Sequence, residues 1–298
     1  EEDLAIPVVY GRKTESEKFK GALRTYSIEA MMGDGKALQA GTSHNLGQNF
    51  AKVFDITFQD MDGQRKYAWQ TSWGVSTRLI GAIIMVHGDD SGLIMPPKVA
   101  PIQVVVVPIW RKEQEREQVA QFVEQMKNSL GGAVRLKVDW DDEHTPGWKY
   151  NEWEMRGVPL RMEIGPRDVK NNQVVLVRRD NRAKEFVAAG DVPVRVRQLL
   201  DEIQQSLLER ARQFMAERTR SVDSYEEFKE LMAGEAESVK RGFLLAHWCG
   251  GAECEAKIKE ETAATIRCIP LESELEEGNC IWCGKASIGQ RVVFGRAY

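Results

Sequence analysis

Over roughly the first hundred residues, apolar and polar positions alternate in short bursts. Val53 to Phe58 and Tyr67 to Ser72 read as strands between turns, and the stretch from Thr14 into Met31 reads as helical. A mostly antiparallel sheet is expected there. Leu79 to Val86 follows Ser76-Thr77 and stops at His87-Gly88-Asp89-Asp90, a pattern that suits a short buried helix or equally a strand. Pro96-Pro97 and Pro101 then punctuate a linker. Beyond them, four consecutive valines between Gln103 and Pro108 form the kind of β-branched run buried in a parallel sheet. Glu113 to Leu130 carries a helical stripe of Val119, Phe122, Val123 and Met126, and Ala133 to Val138 is strand-like again. This is β-α-β order. With further strands at Leu160 to Ile164 and Gln173 to Val177, the region is expected to be an α/β domain ending near Asp191. An amphipathic helix from Val194 to about Arg218 follows, with Leu199, Ile203, Leu207, Ala211 and Phe214 on one face. A second helix begins at Ser224, whose spacing to Glu227 matches a capping box.

Length and charge narrow the picture modestly. A chain of 298 residues exceeds the size at which one core usually stops growing, so two or three domains are expected. Its 41 basic and 45 acidic side chains give a net charge of -4, so contact with nucleic acid must rest on local patches and not on a global field. The apolar runs fall far short of the roughly 20 residues that cross a bilayer. The opening Glu-Glu-Asp-Leu has no Met, basic segment or apolar core of a signal peptide, which suggests a start internal to a longer, soluble intracellular protein.

All five cysteines lie in the last stretch, from Phe243 to Tyr298. Cys249-x4-Cys254 and Cys280-x2-Cys283 form two close pairs, the layout in which two loops each present two thiolates to one tetrahedral ion. Gly250-Gly251 and Gly284 lie beside them, where backbone must turn tightly around a metal. Four thiolates close the coordination sphere, so the expectation is structural Zn2+, with buried thiols or two disulfides as the alternative. Cys268 reads as an ordinary packed residue, and His247 as a spare ligand that is not needed.

Leu38 to Phe50 packs amide, hydroxyl and imidazole groups between glycines, a composition suited to a small polar ligand or to a plain polar loop. Trp73-Gly74-Val75-Ser76-Thr77-Arg78 places a lone arginine where its fork could hold phosphate oxygens or join a surface ion pair. These segments, together with Thr14 to Ala22, Met85 to Pro97, His144-Thr145-Pro146-Gly147-Trp148-Lys149, Gly165-Pro166-Arg167-Asp168, the cysteine pairs and Tyr298, resemble prolyl-tRNA synthetase of the archaeal/eukaryotic-like type.

The resemblance implies an α+β and α/β multidomain class II synthetase, seen as its C-terminal two thirds. Residues 1–100 would be the later part of an antiparallel catalytic domain, 101–192 an α/β anticodon-binding domain and 193–298 a zinc-binding domain. By resemblance Arg78 is the motif 3 arginine on the ATP phosphates and the catalytic residue. Gln39, Thr42 and Ser76 line the ATP site with it, and His44, Trp73 and Gly74 the proline site. Tyr298 would be directed back toward the catalytic domain. Motif 1, motif 2 and the loop that holds proline lie upstream of anything present. The implied partners are tRNA(Pro), L-proline and ATP with Mg2+, in a cytoplasmic homodimer. Glu154, Arg161, Arg167 and Asp168, near Trp148, Lys149 and Lys170, are candidates for anticodon contact, since RNA loop bases are read by stacking and by hydrogen bonds to their edges. The competing readings are a noncatalytic tRNA-binding fragment and a class II synthetase for threonine, serine or glycine.

Overall fold

The computed structural model describes residues 1–233 and 241–298. The first region gives β1 (Val8–Arg12), β2 (Arg24–Met31), β3 (Ala37–Gly47), α1 (Asn49–Val53), β4 (Thr57–Gln59), β5 (Arg65–Tyr67), β6 (Gln70–Gly74) and α2 (Arg78–His87). The middle follows as β7 (Val104–Pro108), α3 (Glu113–Leu130), β8 (Leu136–Val138), α4 (Pro146–Met155), β9 (Leu160–Ile164), α5 (Pro166–Lys170), β10 (Gln173–Arg178) and β11 (Lys184–Ala188). Then come α6 (Val192–Glu217), β12 (Thr219–Ser221), α7 (Tyr225–Ala233), β13 (Phe243–His247), α8 (Ala252–Thr262), β14 (Ala264–Pro270) and β15 (Arg291–Arg296). The architecture is mixed α/β with more than one domain.

The three stretches expected from the sequence gather into two compact units. One comprises residues 1–6 and 83–211, the other residues 7–82 and 212–298. The reason is a seam: β1 pairs with β14 as well as with β2, so the N-terminal and C-terminal strands share one eight-stranded sheet. Its order is β12-β13-β15-β14-β1-β2-β3-β6, antiparallel except for β12 against β13. Phe228, Ile258, Ile266, Val292 and Phe294 form its main core. The other unit holds the sheet β11-β10-β9-β7-β8, in which β7 is parallel to both its neighbours. Val104 and Val106 face one core with Phe122, Leu160 and Leu199, while Val105 and Val107 face Trp153 and Val158. The valine run is thus buried on both faces, as expected of a central parallel strand.

Three local expectations are corrected. Val53 to Phe58 is not one strand: Val53 ends α1, a turn follows, and β4 begins only at Thr57. The stretch from Thr14 into Met31 is not a helix; turns lead into β2. The buried positions of β2 include Thr25, Ser27 and Glu29, so its inward face is polar and the period-2 pattern is hidden from any hydrophobic scale. The segment Leu79 to Val86 is a helix as one of the two readings held, but Ile80, Ile84 and Met85 are exposed.

Candidate functional site

The Leu38 to Phe50 segment is a strand for most of its length and not a loop. β3 pairs with β2 on one side and with the edge strand β6 on the other. Thr42 lies opposite Ser27 and Gly74, and His44 opposite Thr25 and Ser72, so these residues share a face. A bulge opposes Ile28-Glu29 with Gly41 and Gln39, leaving Ala40 over, and this extra residue brings Gln39 onto the same face as Thr42 and His44. Gln39, Thr42, His44, Ser72, Gly74, Ser76 and Arg78 then line one open cavity of about 370 Å³. Arg78 opens α2, its backbone N–H donating to Ser76 Oγ at 3.3 Å; among the described residues no carboxylate pairs with its guanidinium. A free cation at the end of a groove lined by amides and hydroxyls suits an anionic ligand. The register puts Trp73 beside Ser43, out of step with Ser72 and Gly74, yet Trp73 also borders this cavity and is 80% exposed.

His44 is fixed from below. Thr25 Oγ1 lies 2.9 Å from His44 Nδ1 and accepts from the Phe19 backbone N–H at 3.0 Å. That N–H occupies one lone pair of the hydroxyl, and its proton or its second lone pair meets Nδ1, so the contact fixes the orientation of the ring whichever tautomer it takes. The Phe19 ring packs on the imidazole with centroids 4.9 Å apart.

The four cysteines converge as the spacing implied. Cys249 follows β13, Cys254 lies in the first turn of α8, and Cys280 and Cys283 bracket a turn closed by the Gly284 N–H donating to the Cys280 carbonyl. Their sulfurs all lie within 4.8 Å of one another, and no disulfide joins them. A tetrahedral ion with metal–sulfur bonds of about 2.3 Å would separate its ligands by about 3.8 Å, so the cage has the right size for one. Gly250 and Gly284 adopt positive φ, and a Cβ on Gly251 would come within 3.3 Å of Cys249 Sγ. Desolvation and neighbouring thiols push Cys254 upward, whereas the Lys285 backbone N–H lowers Cys283 to about 7. His247 is outside the cage and faces Glu276. Cys268 is fully buried, and burial raises its thiol to about 12.

In the other unit the chain leaves β7 through α3 to β8 on one side, then returns through α4 to β9 on the other. The point where the connections diverge, outside the carboxyl ends of these strands, is where open α/β sheets bind ligands. Trp110 follows β7, Trp140 follows β8, and their rings lie 6.1 Å apart. His144 stacks on Trp148 at 3.7 Å. Neither Trp110 nor Trp140 is among the candidates the sequence suggested; the available signal was an aromatic residue soon after each strand of a β-α-β unit.

The suggested candidates divide. Arg161 pairs with Glu154 at 3.1 Å and with Glu163, and its guanidinium covers the Tyr150 ring. Asp168 Oδ2 accepts from the Gly165 N–H, closing the first turn of α5. Lys149 is only 3% exposed and donates to the carbonyls of Asp139 and Asp141, which shapes the loop after β8. Arg167 and Lys170 remain turned to solvent. At the chain's last residue, the Tyr298 hydroxyl donates to Asp34 Oδ2 at 3.0 Å, beside the turn between β2 and β3.

Residues 103–205 match the family model described as anticodon binding domain, and residues 225–298 the model described as prolyl-tRNA synthetase, C-terminal. The proline–tRNA ligase of Natranaerobius thermophilus is 55% identical over 299 residues, covering 100% of this chain and 60% of that protein. The corresponding ligase of Chloroflexus aurantiacus is 53% identical over 301 residues, with 100% and 61% covered. The chain therefore spans about 60% of the length of these relatives. Among solved structures, prolyl-tRNA synthetase from Cryptosporidium parvum, complexed with L-proline and AMP, matches with a TM-score of 0.90 and 41% identity over 99% of this chain and 62% of that one. The same enzyme complexed with halofuginone and AMPPNP matches equally. No helix among the described residues is long and apolar enough to cross a membrane.

Proposed function

The chain belongs to the prolyl-tRNA synthetase family, and from that premise we propose that it is part of a proline–tRNA ligase, which condenses L-proline with ATP to prolyl-adenylate and passes the prolyl group to the 3' end of tRNA(Pro). The observation that carries this reading is the assembly of Gln39, Thr42, His44, Ser76 and Arg78 along one groove. Two anions must approach in the first step, the proline carboxylate and the α-phosphate. A guanidinium with no carboxylate partner among the described residues suits the charge that grows on the phosphates, which arrive with Mg2+ as counter-ion. Gln39, Thr42 and Ser76 supply hydrogen bonds to the nucleotide. With Nδ1 held by Thr25, Nε2 of His44 is the ring nitrogen left to meet the carboxyl group of proline, as a donor when it carries the proton. Gly74 lies opposite Thr42 and leaves the groove floor open, and Trp73 contributes from the same edge strand. No enzyme nucleophile is required, so rate rests on positioning and electrostatics.

In the other unit, Trp110, Trp140 and Trp148 offer stacking surfaces to single-stranded anticodon bases, and Arg167 is the charged candidate still free to meet them. Glu154 and Arg161 serve that surface by holding it together. The cysteine cage is read as a structural Zn2+ site, with residues 193–298 as the zinc-binding part, 101–192 as the anticodon-binding part and 1–100 as catalytic. The complete enzyme is read as a cytoplasmic homodimer.

The test is proline-dependent exchange between ATP and pyrophosphate. In the complete enzyme, Arg78→Ala is expected to lower exchange about 10²- to 10³-fold, the scale of losing one preorganised charge-stabilising group. The present chain alone, at about 60% of its relatives' length, is expected to give none. Undiminished exchange by Arg78→Ala, or robust exchange by this chain alone, would sink the assignment.

A further inference from the structure

The helix that carries Cys254 also carries Glu255, a carboxylate that belongs to neither the cysteine cage nor the groove. It is 6% exposed, and Oε1 accepts from the Thr14 hydroxyl at 2.8 Å. Thr14 Oγ1 in turn accepts from the Glu17 N–H at 3.2 Å, and the Thr14 carbonyl accepts from the Lys18 N–H. Thr14 therefore anchors the start of the segment between β1 and β2. The end of that segment is the support of His44: the Phe19 N–H meets Thr25 Oγ1, Thr25 meets His44 Nδ1, and the Phe19 ring packs on the imidazole. Lys259, one turn along α8 from Glu255, reaches Glu17 at 3.6 Å as a second tether.

We propose that Glu255 and Thr14 are positioning residues for His44, acting through the 14–25 segment to hold its ring in one orientation and one tautomer at the groove. The idea rests on the reading of His44 as a proline-binding group. Its physical basis is that a buried hydroxyl between a carboxylate and a backbone N–H has only one favourable arrangement. Losing the hydroxyl leaves the carboxylate buried without that donor, and the segment loosens from its start toward the end that supports His44. The cysteine module would thus tune the amino-acid subsite without touching the substrate.

The test uses the ¹⁵N-labelled chain, in which four histidines give a readable long-range ¹H–¹⁵N spectrum of ring tautomers, with His44 assigned from a His44→Gln spectrum. Thr14→Val should move the His44 Nδ1 resonance from its position in the parent chain toward the tautomer average. Thr14→Ser, which keeps the hydroxyl, should restore it. Glu255→Ala should reproduce the Thr14→Val shift, and decides the matter if Thr14→Val does not fold by near-UV circular dichroism. A folded variant whose His44 resonances stay in place overturns the proposal. In the complete enzyme, Thr14→Val should raise KM for proline several-fold and leave KM for ATP unchanged. A tautomer shift without that KM change keeps the positioning role and removes His44 from the proline site.

Discussion

A carboxylate with no exposed surface, Glu29, sits between two cations on the eight-stranded sheet. Oε1 accepts from Lys13 Nζ at 2.9 Å, and Oε2 from Arg267 Nε and Nη2 at 3.0 and 2.8 Å. Lys13 and Arg267 are themselves buried, so removing the negative charge leaves two cations without their counter-ion in a low-dielectric setting. Glu29→Gln is therefore expected to destabilise its unit by about 3–5 kcal/mol, measured by urea unfolding; a loss under about 1 kcal/mol would mean that water reaches the cluster. Asp89 offers a pH readout. Its hydrogen bonds and ion pair with Arg179 depress its carboxyl from 3.8 to about 2. A depressed carboxyl stabilises the fold above its unfolded value, and the benefit is lost as pH falls from about 4 to about 2. Solvent screens this half-exposed group, so the effect is expected to be at most about 1 kcal/mol. Asp89→Asn should flatten the acid limb of the stability profile by that amount, and an unchanged limb would assign it to other carboxylates. At this scale the sequence exposes residue types but not partners. Four cysteines at metal spacing declare themselves, whereas nothing in the string tells Arg161, spent on Glu154 and Glu163, from Arg167, which faces solvent.

Elements were legible where burial and hydrophobicity coincide. The valines of β7 and the stripe of α3 lie where the pattern puts them because both faces, or one whole face, are apolar. β2 is hidden because its inward positions are Thr25, Ser27 and Glu29, and β3 reads equally well as a loop because its groove face is polar. The pairing of β1 with β14 was hidden for another reason: a hydrogen-bonded seam between opposite ends of the chain leaves no local periodicity. Gly11 with Pro270 and Arg12 with Ile269 set the register of that seam, and the Leu271 N–H donating to the Tyr10 carbonyl extends it. A Cβ on Gly11 would lie 2.3 Å from the Ile269 carbonyl oxygen, so the strands approach too closely for any side chain. Gly11→Ala must push β14 aside, with an expected cost of about 1–3 kcal/mol in chemical denaturation. The same substitution at Gly74, where a Cβ meets nothing within 4 Å, should cost under about 0.5 kcal/mol and serves as the control.

The two compact units each possess a sheet and a core of their own, and only one of them holds the cysteine cage. If that cage holds zinc, its binding free energy is folding free energy for the unit that contains it, because an unfolded chain offers no preformed set of four thiolates. Such an ion would tie the end of β13 and the start of α8 to the Cys280–Cys283 turn, against the core of Phe228, Ile258 and Phe294. The five-stranded unit would owe nothing to it. Heating the metal-loaded chain should therefore give separable unfolding signals, the Trp110 and Trp140 environment reporting one unit and Trp248 and Trp282 the other. A strong chelator should lower the second transition by at least about 6 °C, since about 3–4 kcal/mol of lost ligand stabilisation shifts a domain of roughly 160 residues by about 6–16 °C. The first should move by no more than a few degrees. Two outcomes would defeat this account: metal content well below one ion per chain, or equal shifts in both transitions. The second would mean that the ion stabilises the chain as one cooperative body, and that the division into units describes packing but not stability.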